Sequence, residues 1–382
     1  MHISLSDEQK LIRENIIAFA QKEINDGVID RDRLQEFPEG LWTRCGEQKL
    51  QGLTVPENLG GAGLDPFSAI ITLEALGYAS HDGGLNFSIC AHYLSCVVPV
   101  LKFGTEDQKK KYLPALSSGK RIAVNAMTES SSGSDAFNIK TKAIPQGEDF
   151  LISGMKTFSS NGPAADTILL YALTDESKGF HGGITAFVLD KDTPGVKTGK
   201  SIEKMGLRSC SMSELYFENV VLKKENIIGG LGGGASVFNY SMEWERIGMA
   251  ASHIGTMERL LEQSVKYAQT RISSGQPLGK KQAVAHRIAN MKMQLEAGRL
   301  LVYRAAEGLD KNRDNALNAS IAKLFVSEAF SSAALDAVQI HGGNGYMTEC
   351  GIERTLRDAL GSTIYSGTSD IQRNIIAGWL GL

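Results

Sequence analysis

QIHGGNGYMTECGIERTLRDALGSTIYSGTSDIQR, residues 339–373, decides how the chain is read. It starts at the end of a long amphipathic run. Gly342, Gly343 and Gly345 are read as breaking that helix, because glycine enters φ > 0 without strain. A short charged helix follows and is expected to end at Gly361. Ser366-Gly367-Thr368-Ser369 then forms a tight turn before a last helix. Two glycine turns this close let backbone approach a large planar or phosphorylated ligand. The alternative is two helix caps and no ligand, since glycine is the usual helix stop.

Upstream of this stretch, 237–270, 282–308 and 315–340 are three long segments of helical period joined by short polar turns, as in a bundle. Their apolar residues occupy more than one face, which suggests burial on several sides and packing against other subunits. The run GGLGGG, 229–234, precedes them. It holds a G-x-G-x-x-A match, Gly230 to Ala235, which in a dinucleotide fold follows a core strand and leads to an acidic strand end. Here the following forty residues are helical, so an interdomain turn is the better reading.

Before the glycine run the period is strand-like. Residues 122–127, 150–153, 168–173, 184–189 and 215–222 are short, β-branched or aromatic, and bounded by turn formers. They suggest a small antiparallel β domain between helical halves. Residues 1–120 read as helical. Ser6 and Gln9 make a capping box, as do Thr105 and Gln108. Asp65-Pro66 caps a helix expected to end at Gly77. The expected organisation is α+β: an N-terminal helical domain (1–120), a central antiparallel β domain (121–227) and a C-terminal four-helix bundle (228–382).

A length of 382 residues exceeds the ~250–300 at which single cores stop growing. A net charge of −3 offers no surface for nucleic acid or an anionic membrane. Five cysteines without a CxxC argue against a disulfide framework or a thiolate metal site, and no metal is expected. The apolar stretch 85–103 contains Asn86, His92, Pro99 and Lys102, and reads as a buried helix rather than a membrane span. With no basic–apolar–small leader evident, a cytoplasmic location is expected.

A carbon-bound proton is abstracted by a carboxylate in a dry pocket, where burial raises its pKa. Phe238, Met242, Glu245 and Met249 fall at spacings of 4, 3 and 4, so Glu245 lies in an apolar helical stripe. Glu243 and Arg246 occupy an adjacent stripe at i, i+3, where they can pair. Periodicity alone leaves open whether Glu245 is a base or one half of a structural ion pair.

QIHGGNGY, then RD, then IYSGTSDIQR closely resembles the C-terminal signature of the acyl-CoA dehydrogenases, flavoproteins that desaturate acyl thioesters. The resemblance spans essentially the whole chain. Most members carry a glutamate base before Gly-Thr-Ser, where this chain has Ser366. Isovaleryl- and long-chain-type members instead place the base on the long helix before an arginine, as Glu245-Arg246 stands here. The resemblance therefore implies Glu245 as base. It also implies that the Ser366 backbone N–H helps bind the thioester carbonyl, with Glu243, Arg246, Ser134 and Gly367 near the substrate.

The segment Met127-Thr128-Glu129-Ser130-Ser131-Ser132-Gly133-Ser134-Asp135 resembles the family's flavin loop. It implies FAD contacts at Asn125, Met127, Thr128 and Ser134. It departs at Ser130, where proline is usual, at Ser132, where alanine is, and at Asn125, where an aromatic is common. Lys156-Thr157-Phe158-Ser159-Ser160-Asn161 resembles K-x-W-I-T-N, which puts Phe158 and Ser160 beside the flavin; phenylalanine for tryptophan removes an N–H donor. Arg271 and Gln282 resemble the pair that reaches the FAD of a neighbouring subunit, an arginine fork suiting a pyrophosphate. Ser274 replaces the usual phenylalanine there. Gln339, Gly342, Gly343, Thr368 and Asp370 complete the implied FAD set.

The leading expectation is thus FAD-dependent α,β-dehydrogenation of an acyl thioester. CoA is expected first as carrier, with an acyl-carrier protein as the alternative. The implied electron acceptor is an electron-transfer flavoprotein or oxygen. The implied assembly is a homotetramer, or a dimer. Two other classes compete: a catalytically silent scaffold, because of Ser366, and a nicotinamide enzyme, because of Gly230 to Ala235.

Overall fold

The computed structural model describes residues 5–311 and 315–382. Seven helices come first: α1 (Asp7–Glu23), α2 (Val28–Leu34), α3 (Glu39–Glu47), α4 (Pro66–Ala79), α5 (Gly83–His92), α6 (Val98–Phe103) and α7 (Glu106–Ser117). Both capping boxes form, at Ser6/Gln9 and Thr105/Gln108. A π-turn, Tyr93–Val97, joins α5 to α6. The resulting apolar segment Gly83–Phe103 is long and apolar enough to cross a membrane, but 89% of its most apolar 18-residue window is buried inside the protein.

Eight strands follow: β1 (Ala123–Ala126), β2 (Lys142–Gln146), β3 (Asp149–Ser160), β4 (Thr167–Leu173), β5 (Ile184–Asp190), β6 (Val196–Thr198), β7 (Met212–Leu222) and β8 (Ile227–Ile228). They form one sheet in the order β6-β7-β3-β2-β4-β5-β8, with β1 beside β4. The sheet is not wholly antiparallel as expected. β1 and β2 both run parallel to β4. One face carries its own core of Val124, Ile152, Ile168, Phe187 and Phe217, separate from the large helical core.

The remaining helices are α8 (Gly234–Thr270), α9 (Gln282–Gly308), α10 (Asn315–His341), α11 (Gly343–Tyr346), α12 (Ile352–Gly361) and α13 (Ser369–Trp379). Two short strands, β9 (Ile272–Ser273) and β10 (Gln276–Pro277), pair between α8 and α9. Their turn residues, Ser274 and Gly275, both take positive φ, which suits the twist of a two-residue hairpin. Of the three glycines expected to break the helix after Gln339, only Gly342 takes positive φ (58°). Gly343 and Gly345 lie within α11.

Gly77 does not end its helix, which runs on to Ala79. Its absent side chain instead permits a helix crossing. A Cβ there would stand 2.0 Å from the Ser252 carbonyl oxygen of α8, and one on Gly255 would stand 2.0 Å from the Glu74 oxygen of α4. Arg259 of α8 then donates to the carbonyls of Gly77, Tyr78 and Ser80 at 2.6–2.8 Å, which caps the end of α4. The crossing fixes α8 against the N-terminal helices, and α8 carries Glu245.

Candidate active site

Glu245 lies in the first third of α8 and is 9% exposed, with Met242 and Met249 buried on the same face. Burial pushes its carboxyl above the ordinary range, against the pull of the Ser366 hydroxyl, Arg246 and Lys323. Its Oε1 accepts a hydrogen bond from Ser366 Oγ at 2.5 Å. The serine that stands in place of a glutamate is thus tied by its side chain to the glutamate on the helix. Glu243 is not part of this contact. It accepts from Asn315 of α10 at 2.7 Å and pairs with that residue rather than with Arg246.

Ser366 and Gly367 take φ of 56° and 87°. A left-handed serine costs roughly 1–2 kcal/mol, so the surroundings must hold it. Arg246 Nε donates to the Ser366 carbonyl at 3.2 Å. Lys323 Nζ donates to the Gly367 carbonyl at 2.7 Å. Gln372 Nε2 donates to both, at 3.2 and 2.9 Å. Both carbonyls are thus engaged, and the Ser369 N–H at the end of the turn donates to Thr363 O at 3.0 Å. Thr368 caps α13 through the Ile371 N–H, so the turn passes directly into a helix N-terminus. Lys323 and Gln372 carry no distinguishing motif. The only signal for Lys323 is its position among Ala319, Ala322 and Val326 on a buried stripe. Burial, then Arg246, lowers its pKa to about 8.

The two sheet motifs come together. Lys156 is fully buried in β3 and donates to Met127 O at 2.9 Å and to Glu129 Oε1 at 2.8 Å. Thr157 N–H donates to Thr128 O at 2.8 Å. Glu129 also accepts from the Lys140 and Thr141 amides. Burial would raise its pKa, but Lys156 and these donors bring it below the ordinary value. The β3–β7 register slips between Lys156 and Ser159. At this bulge Phe158 takes φ of 51° and is 61% exposed. Ser160 is half-buried and Ser134 exposed. Phe137, just past the loop, packs edge-on against Phe238 of α8 at 5.4 Å, which joins this surface to the stripe that carries Glu245.

The remaining positions gather elsewhere. Tyr267 packs on His341 at 4.4 Å and bonds Asn344, which brings the Gln339–Gly342–Gly343 turn to the end of α8. Arg271 and Gln282 flank the hairpin at this same end, and both are exposed. Arg271 follows Glu245 by 26 residues of the same helix, about 39 Å at 1.5 Å per residue. Within one chain these are two separate clusters. Asp370 is exposed and pairs with Arg373.

Three sequence profiles match in succession: acyl-CoA dehydrogenase, N-terminal domain, over residues 6–120; the middle domain over 125–220; and the C-terminal domain over 232–381. The chain belongs to the acyl-CoA dehydrogenase family. Among curated relatives, it is 42% identical to the L-prolyl-[peptidyl-carrier protein] dehydrogenase of Pseudomonas fluorescens, covering 89% of this chain and 90% of that one. It is 40% identical to an acyl-CoA dehydrogenase of Bacillus subtilis, covering 100% and 99%. Among solved structures, the prolyl acyl carrier protein oxidase AnaB superposes with a TM-score of 0.97 at 41% identity, covering 99% of this chain and 100% of that one.

The acyl-CoA dehydrogenase fold thus carries a sheet surface suited to a flat, polar ring. Phe158 offers an exposed aromatic face. Asn125 Oδ1 on β1 and Ser159 Oγ beside Phe158 are buried without a hydrogen-bond partner. A ring that brings its own donors and acceptors fits there.

Proposed function

We propose that this enzyme removes the α proton of an acyl thioester with Glu245. The observation that carries this reading is the buried Glu245 carboxylate facing a left-handed turn held by Arg246, Lys323 and Gln372. The enzyme is a flavoprotein dehydrogenase and its cofactor is FAD. Bound FAD would supply the acceptor for the hydride that leaves Cβ. The turn amides hold the thioester carbonyl and stabilise the charge that develops on its oxygen, which acidifies the α-carbon. Glu245, desolvated and basic, takes the proton. We assign Asn125, Met127, Thr128, Ser134, Phe158, Ser160 and Thr368 to the flavin within the chain, and Ser134, Arg246, Ser366 and Gly367 to the substrate. Glu243 is retained only as a more distant neighbour.

The carrier has two readings. CoA is the ordinary one for the family. The similarity to prolyl carrier-protein enzymes favours a tethered acyl group. The experiment is anaerobic flavin reduction by one acyl group presented on CoA and on a carrier protein. Comparable rates support CoA as a substrate, and a preference of several hundredfold for the carrier protein would reject it. A flavin that no thioester reduces would sink the dehydrogenase chemistry proposed for Glu245.

We further infer boundaries at 1–120, 121–227 and 228–382, a cytoplasmic location and a homotetramer. The separation of Arg271 and Gln282 from Glu245 supports a cofactor shared between chains. So do the exposed Met293, Leu300, Leu335 and Ile364 on the C-terminal helices and their loops. An electron-transfer flavoprotein or oxygen would reoxidise the flavin. Light scattering should return a tetramer, or a dimer as the smallest flavin-retaining form. A monodisperse monomer that keeps its flavin would rule out the shared site.

A further inference from the structure

One helical turn beyond Glu245, the same face of α8 borders a small, partly open cavity of about 30 Å³. Asn86, Phe87, Met249, Ser252, His253 and Tyr365 are among the residues that line it. Tyr365 directly precedes Ser366, so the cavity adjoins the turn that faces Glu245. Phe87 closes on the Tyr365 ring at 4.7 Å. The volume accommodates roughly two water-sized groups. An alkyl tail of many carbons does not fit.

The lining is mixed: Phe87, Leu207, Met249 and Phe330 share it with polar side chains. Asn86 is 4% exposed, and its Oδ1 is buried without a hydrogen-bond partner. Such an acceptor calls for a donor. His253 bonds the Tyr365 hydroxyl through Nε2 at 2.7 Å and stacks on Phe330 at 4.9 Å. Burial, then Lys323, holds its pKa at about 3, so the ring is neutral, with one nitrogen a donor and the other an acceptor. Arg259 also lines the cavity, with its Nη1 taken up by the carbonyls at the end of α4. Asp358 is occupied by the Leu207 amide at 2.5 Å, and burial raises its pKa to about 7. With Arg259 on the wall and Lys323 nearby, a cationic group is disfavoured.

We propose that this cavity is the far end of the acyl pocket, and that Asn86 and His253 select short acyl groups bearing a neutral hydrogen-bond donor, a hydroxyl or an N–H. This rests on the acyl-thioester reading of Glu245. A plain alkyl group of equal length leaves Asn86 Oδ1 unpaired, and the loss of that pairing is what discriminates.

Two pairs of thioesters test it: butanoyl with 4-hydroxybutanoyl, and pentanoyl with 5-hydroxypentanoyl, on whichever carrier supports turnover. Anaerobic flavin reduction by the wild type should favour a hydroxyl member by about tenfold or more. Asn86→Leu and His253→Leu should erase or reverse that preference with FAD content unchanged, while His253→Gln should keep it. Equal or faster reduction by the alkyl member at both lengths would overturn the proposal. So would a preference that survives both leucine variants, which would mark the cavity as a site for ordered water. Should a leucine variant fail to fold, the wild-type pairs decide alone. Reduction without preference sinks only this proposal, whereas no reduction by any thioester sinks the reading beneath it.

Discussion

Glu245→Gln should reduce its flavin roughly 10²–10⁴ times more slowly than wild type, a loss of about 3–5 kcal/mol of transition-state stabilisation. The amide keeps the shape of the side chain and can still accept from Ser366 Oγ, but it cannot take a proton. FAD content should not change, since Glu245 is assigned to no flavin contact. The pH dependence separates this from a packing defect. Burial raises the Glu245 pKa, so the wild-type rate should climb as pH rises through a value above the ordinary carboxylate range. The Gln variant should show no such limb. Ser366→Ala should lose far less, because its backbone remains. It should also move the limb upward, because the hydroxyl that lowers the Glu245 pKa is gone. A Gln variant as fast as wild type would place the base elsewhere.

Lys156→Met should destabilise the protein by about 3–5 kcal/mol and strip it of flavin. Lys156 is fully buried and Glu129 is 5% exposed. Methionine matches the stem but leaves a buried carboxylate with two amide donors and no counter-charge. The lost contact to Met127 O frees the loop assigned to the flavin. Thermal unfolding and the ratio of flavin to protein absorbance measure the two effects. A variant that melts with wild type and retains its flavin would show that the pair does not support the loop. Lys156→Arg, which keeps the charge but changes its shape, should fall between them.

The long helices were legible because their period persists for many turns, and α9 begins and ends at the expected Gln282 and Gly308. α8 starts three residues before its helical period becomes visible. Gly234 and Ala235 are buried helix, and glycine gives no propensity signal there. Gly77 departs from the expected stop because its packing against α8 overrides the local tendency to end the helix. β2 escaped notice because Lys142–Gln146 contains Pro145 and mostly faces solvent. It exists because β3 and β4 pair with it. The parallel pairings of β1 and β2 with β4 are non-local and leave no mark in a strand's own residues. At the site, Glu245 was visible as a charge within an apolar stripe. Lys323 and Gln372 were not, because lysine or glutamine in a helix ordinarily faces water. Their function here comes from carbonyls more than forty residues away, for Lys323, or at the preceding turn, for Gln372.

The crossing of α4 and α8 bears on how such proteins can be recombined. Each of Gly77 and Gly255 lacks a side chain because the backbone of the other's helix fills that space. Arg259 terminates a helix that lies about 180 residues earlier in the chain. Three positions that are distant in sequence therefore behave as one inherited unit. A chimera joined near residue 120 or 228 would bring together an α4 and an α8 of different parentage. Matching sheets and loops would not rescue it if the incoming α8 carried a β-carbon at 255, or lacked the guanidinium at 259. The seams that look natural along the chain are thus not the seams along which the protein can be cut and rejoined.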